Sequence, residues 1–244
     1  VQIGTFTASN MQYIDNPDGN FLSQTTGISE IKVNDSENAV YLVNMGKTIP
    51  VGTVAPGTAS LSGDPRGWKK IQILRSAAGY KLRYANLDDT QYKEHLITKN
   101  TQYNFSFFSL QKEISVDIQP AKTKWDLAFT SFTNEVFLAP DQSAGSYFYA
   151  DFIITNTIDG VGAYQVDVPS GQSLDQAYGA FQLSNIEESK FIFNDHRALG
   201  DKWRTTTGNN GAQIFTNRFF ILKDAEGFYF KLRFNAMTNG SGER

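Results

Sequence analysis

NRFFILKDAEGFYFKLRFNAM, residues 217–237, reads as two strands joined by a tight turn. Apolar and aromatic residues fill Asn217–Lys223 and Phe228–Phe234, and Asp224-Ala225-Glu226-Gly227 stands between them. A four-residue loop that ends in glycine fits a type I turn closed by a left-handed residue. Along the second run, Phe228, Phe230, Leu232 and Phe234 share one face, and Tyr229, Lys231 and Arg233 share the other. The unit is an antiparallel hairpin.

The same texture continues toward the N-terminus. Strands are expected at Ala39–Val43, Trp68–Leu74, Tyr80–Tyr84, Tyr103–Leu110, Glu113–Ile118, Trp125–Phe132, Tyr147–Thr155 and Phe191–Phe193. The loop VAPGTASLSGDPRG, residues 54–67, is long and is expected to be mobile. Helix is scarce. Its best case is SLDQAYGAFQLS, where Ser173 and Gln176 make a capping box ahead of Leu174, Ala177 and Phe181. No Pro- or Ser-rich linker divides the chain, so residues 1–244 are expected to form one all-β, antiparallel domain with little helix.

Composition narrows the chemistry. The 244 residues carry a net charge of -3 with both signs interspersed, and no basic stripe marks a nucleic-acid surface. Cysteine is absent, which removes disulfides, thiolate catalysis and cysteine metal sites. There is no run of eighteen apolar residues and no leader-like apolar segment, so the sequence reads as a mature soluble chain. Aromatic residues reach 14%, enough both to fill a β core and to line a pocket for a flat ligand.

No catalytic motif emerges. There is no G-x-S-x-G, and GVGAYQ at 160–165 lacks the third glycine and the helix of a dinucleotide site. NDSEN at 34–38 lacks the length and glycine of a calcium loop and reads as a turn. Of the two histidines, His95 in YKEHLITK reads as a partly exposed strand residue. His196 in FNDHRALGDKW reads as a polar surface turn. The most suggestive segment is SAGSYFYADFIITN, residues 143–156. Strict alternation puts Tyr147, Tyr149 and Asp151 on one face and Phe148, Ala150 and Phe152 on the other. A tyrosine face can stack on a planar ligand, and a phenolate can ligate ferric iron.

The ordered series YKLRYANLDDTQYKEHLITKNTQYNFSFFSL, QPAKTKWDLAFTSF, DKWRTTT, RFFILKDAEGFYFKLRF and TNGSGER resembles the HmuY family over about Tyr80 to Arg244. These are haem-binding, haemophore-like surface lipoproteins of Gram-negative anaerobes. The resemblance implies an all-β surface protein, lipid-anchored at the outer membrane or shed from it. It would take haem or another tetrapyrrole, with host haem carriers as one source, and pass it to an outer-membrane TonB-dependent receptor. It also implies a scaffold role for the Trp125-Asp126 strand. From alternation, Trp125, Leu127 and Phe129 are expected to bury one face while Asp126 points the other way, placed to tie down a turn or an arginine.

Family members clamp iron with two His or Met side chains from loops after that strand. This chain departs there: between Trp125 and Trp203 it has no methionine and only His196. Tyr147, Tyr149 and Tyr164 are the candidate substitute ligands in the corresponding region, one or two of them at most, and Phe137 and Phe148 are placed to pack on a macrocycle. The alternative is a paralogue that has lost the axial pair and binds a ferric siderophore or a protein partner.

Overall fold

The computed structural model describes residues 28–52, 63–139, 142–206 and 212–237, excepting the side chains of 135–138 and 142–146. Most of the loop at 54–67 therefore lies outside the described residues. Those before Lys122 form one compact unit and those from Lys122 onward a second. Among the described residues all strand pairings are antiparallel, and Leu174–Ala180 is the only α-helix.

In the first unit, β1 (Tyr41–Asn44), β2 (Trp68–Ser76), β3 (Gly79–Asn86) and β4 (Lys93–Thr98) form a sheet in that order. β5 (Phe107–Ser109) and β6 (Ile114–Val116) make a short hairpin. Period-two alternation puts Ile71, Leu82 and Tyr84 on one face of the sheet, where Tyr41, Val43, Ile73, Ile97, Phe108 and Leu110 pack against them. The strand expected over Tyr103–Leu110 is thus only three residues long.

The second unit begins with a long ribbon, β7 (Leu127–Ala139) paired with β8 (Gln142–Thr155). β9 (Gly162–Asp167), α1 (Leu174–Ala180), β10 (Arg204–Thr205), β11 (Gln213–Ile214), β12 (Arg218–Lys223) and β13 (Tyr229–Leu232) follow. The expected C-terminal hairpin is present as β12–β13, with Gly227 at φ 92° closing its turn. The expected capping box is present too: Ser173 accepts from the Gln176 amide and Gln176 from the Ser173 amide. Phe191–Phe193 contributes only an isolated bridge from Ile192 to Ala163, and β9 takes the sheet position beside β12.

β12 is the middle strand of β13-β12-β9 and is covered on both faces. This explains four consecutive buried residues, Phe219 to Leu222, where a one-sided strand would alternate. Phe220 and Leu222 join Ile153, Val161, Ala163, Leu199 and Trp203 in one cluster. Phe219 and Ile221 join Tyr164, Ala177 and Phe191 in the other.

Candidate ligand site on the β7–β8 ribbon

The Trp125-Asp126 pair anchors the root of the ribbon through its backbone. Asn156, 1% exposed, donates its side-chain amide to the carbonyls of Lys122 (2.7 Å) and Trp125 (2.8 Å). Its backbone N–H donates to the Asp126 carbonyl at 2.9 Å. Buried carbonyls need such partners, so one asparagine closes the end of β8 onto the segment that opens β7. Leu127 packs in the core, whereas Phe129, expected on the same buried face, is 67% exposed.

Among the described residues no arginine holds the Asp126 carboxyl. Burial, and then the neighbouring acids Asp224, Asp159 and Glu226, keep it above its ordinary range. A carboxyl whose folded-state pKa is raised binds its proton more tightly in the folded chain. Stability is therefore lost as pH rises through the raised value. Asp126→Asn is expected to raise the melting midpoint by a few degrees at neutral pH and by nothing near about pH 3, where the carboxyl is protonated in either state. Thermal scans at the two pH values check this, and an equal gain at both refutes it.

Further along, a bulge changes which side chains meet. Thr130 pairs with Phe152 and Phe132 with Tyr149, so Ala150 and Asp151 together oppose Ser131. The extra residue ends the strict alternation and brings Phe152 beside Tyr149, with ring centroids 5.3 Å apart, instead of on the opposite face. A row of rings results. Tyr147 meets Tyr149 edge-on at 4.8 Å, and Phe152 stacks on Phe132 at 4.5 Å. Phe132 in turn meets His196 edge-on at 5.3 Å. The row runs from solvent, with Tyr147 53% exposed, to a buried end at Phe152 and His196.

His196 is therefore not the surface residue its polar neighbours suggested; it is 9% exposed and its carbonyl accepts from the Thr155 N–H at 2.8 Å. Beside it, the Gly200 amide and carbonyl pair with Ile153. Gly200 adopts φ 58°, and a Cβ there would come 3.0 Å from the Phe152 ring, so two constraints favour glycine.

The segment 195–204 supplies the charges along this face. Arg204 is buried and donates to both Asp151 oxygens, with Nε to Oδ2 at 3.0 Å. Burial pulls the Arg204 pKa down, but the hydrogen bond and charge of Asp151 outweigh it and the net shift is upward. The Arg204 guanidinium also lies 5.4 Å from the Tyr149 ring centroid, within cation–π range. The Tyr149 phenol is pushed up to about 12 by burial and then by Asp201, with which it is hydrogen-bonded. It is a neutral donor at physiological pH. Arg197, braced by Asp195, reaches Asn134 at 3.0 Å, and Asn134 is the cross-strand partner of Tyr147.

The five aromatic candidates separate. Tyr147 and Tyr149 come together, and Phe148, 57% exposed, projects from the ribbon paired with Thr133. The Phe137 side chain lies outside the described residues. Tyr164 stands apart: it is 3% exposed, packs edge-on to Phe191, and its hydroxyl accepts the Glu187 N–H at 3.2 Å. It belongs to the core cluster on the face of β9 opposite Ala163. Sequence spacing missed Phe132, Arg204, Asp201 and Arg197; only the Tyr-rich run flagged the face they complete.

Among the described residues no group of three or more His, Cys, Asp or Glu side chains is placed to hold a metal ion. His95 lies in the first unit and His196 is packed against Phe132 in the second. The phenol, carboxylate and guanidinium groups on the ribbon face do not fit an iron clamped between two imidazole or thioether ligands.

Comparison with known proteins places these features. The profile of the family described as HmuY protein matches residues 98–244, more than half of the chain. No curated protein and no solved structure matches.

Proposed function

The chain belongs to the HmuY family, and from that premise we propose a non-catalytic capture protein that has exchanged the His/Met iron clamp for an aromatic, oxygen-bearing face. Its ligand is a ferric complex of the siderophore class. The observation that carries this reading is the exposed Tyr147 beside Tyr149 on a ribbon face bordered by Arg197 and Arg204. Aromatic rings favour stacking with an aromatic chelate such as a ferric catecholate, and oxygen donors suit ferric iron. Delivery to an outer-membrane TonB-dependent receptor, from a lipid-anchored or released position at the cell surface, follows the family pattern. No helix among the described residues is long and apolar enough to cross a membrane.

Haem remains the second reading, because the family is one of haem-binding proteins. It would be held by stacking on Tyr147 and by at most one tyrosinate. We also treat residues 1–244 as one HmuY-like domain: the family match starts at residue 98, inside the first compact unit rather than at its border with the second.

Titration of the protein with a ferric catecholate and with haemin, followed by tryptophan fluorescence and absorption, tests the proposal. The ferric catecholate is expected to quench saturably at micromolar concentration, while haemin yields no low-spin spectrum of two strong-field nitrogen ligands. Tyr147→Phe, which keeps the ring and removes the oxygen, is expected to weaken the productive ligand about tenfold, or ~1.4 kcal/mol. Tyr164→Phe is expected to leave ligand affinity unchanged. A bis-histidine haem spectrum in the parent protein, or indifference to both ligands, overturns the reading.

A further inference from the structure

A cavity of about 310 Å³ lies in the first compact unit, between β4 and the β5–β6 hairpin with its following segment. It is separate from the ribbon face, and neither the family nor the proposed function assigns it a role. Its size is at the low end of small-molecule sites and far above the ~30 Å³ that one water occupies in the liquid.

The lining offers several hydrogen-bond acceptors. The Gln119 side-chain oxygen is buried with no hydrogen-bond partner. An unmet buried acceptor is costly, so the position favours an incoming donor. Ser115 Oγ lies 2.9 Å from His95 Nε2. Whichever of the two donates, the hydroxyl oxygen keeps a lone pair for a further bond. Asp117 adds a carboxylate at the rim, and no lysine or arginine is among the lining residues. The walls are aromatic and apolar, with Tyr103, the 43%-exposed Phe105 and the 69%-exposed Ile118. His95 is fixed by its ring contact with Phe108 at 4.5 Å, which holds the His95–Ser115 pair against one side.

Acceptors, one carboxylate and aromatic walls together select a donor-rich cation with an apolar body. We propose that this cavity binds a small organic amine, with its ammonium group toward Gln119, Ser115 and Asp117 and its hydrocarbon part against Tyr103, Phe105 and Ile118. The ammonium supplies three donors, and the rings add cation–π attraction. An anion of the same shape meets the Asp117 carboxylate with no lysine or arginine to offset it, and is disfavoured.

The test uses the full chain, isotopically labelled, with phenethylamine as the probe, followed by the NMR signals of the Gln119 side-chain amide and the His95 and Ser115 backbone. Phenethylamine is expected to shift these signals saturably. Phenylacetate, with the same ring and opposite charge, leaves them unmoved, and 2-phenylethanol acts more weakly. Gln119→Leu and Asp117→Asn, each checked for an otherwise unchanged folded spectrum, are expected to weaken phenethylamine by about fivefold, the loss of one charge-assisted contact. The peptide Gly-Lys-Gly distinguishes a free amine from a lysine side chain of a partner and is expected to bind less tightly than phenethylamine. The proposal is overturned if the three aromatic probes behave alike, if none shifts the signals, if both variants bind as the parent does, or if the lysine peptide binds tighter.

Discussion

Arg204→Ala is expected to destabilise the protein by about 3–5 kcal/mol, the cost of leaving one member of a buried ion pair uncompensated. The Arg204 and Asp151 side chains are only 5% and 13% exposed, so solvent cannot replace the lost guanidinium. Arg204 also covers the Tyr149 ring and lies 5.9 Å from the Trp203 ring, so its removal takes away packing as well as charge. The double variant Arg204→Met with Asp151→Leu removes both charges and is expected to regain more than half of the loss, because the desolvation cost disappears with them. Urea unfolding of the three proteins measures this. A loss below about 1 kcal/mol for Arg204→Ala, the range of a surface pair, refutes the buried-pair account.

Phe152→Ala is expected to cost a similar ~3–5 kcal/mol, for a different reason. The ring is 1% exposed and stacked on Phe132, with Tyr149 on one side and the Gly200 backbone close by. Its removal leaves a void bounded by two strands and by a bridged backbone that cannot collapse freely. The Tyr149 ring loses its support, so ligand affinity at the ribbon is expected to fall with stability. Phe148→Ala, two residues before the bulge and largely exposed, is expected to stay within about 0.5 kcal/mol in stability. Equal unfolding midpoints for the two alanine variants would show that the row of rings does not hold the ribbon.

The same bulge shows where sequence reading reaches its limit. Alternation located Tyr147, Tyr149 and Phe152 on β8 correctly and then assigned Phe152 to the wrong face. A single extra residue at Ala150-Asp151 shifts the phase, and neither residue carries a turn or glycine signal that would mark it. The ribbon also extends past the ends expected for both strands, through Ala139 on β7 and from Gln142 on β8, because pairing between two chain segments sustains residues of weak strand propensity. His196 was misjudged for a related reason. Its neighbours in sequence are polar, but its ring meets Phe132, sixty-odd positions earlier.

Features settled by neighbours in the chain were legible from residues alone: the β12–β13 hairpin with Gly227, the Ser173–Gln176 capping box, the antiparallel β class and the family that the ordered motifs resemble. Turn geometry, helix capping and side-chain alternation act over two to four residues, so a short window contains all their causes. The composition of the candidate site required the folded chain. Arg204 reaches Asp151 across 53 positions, and Asn156 binds the Lys122 and Trp125 carbonyls across 34 and 31. Tyr164, placed with the other tyrosines by proximity in sequence, is drawn into the opposite core cluster by Phe191 and Phe219. Which aromatic rings face solvent and which are buried depends on strand phase and on partners far away in the chain, and the burial free energy that decides it exists only once those partners have come together.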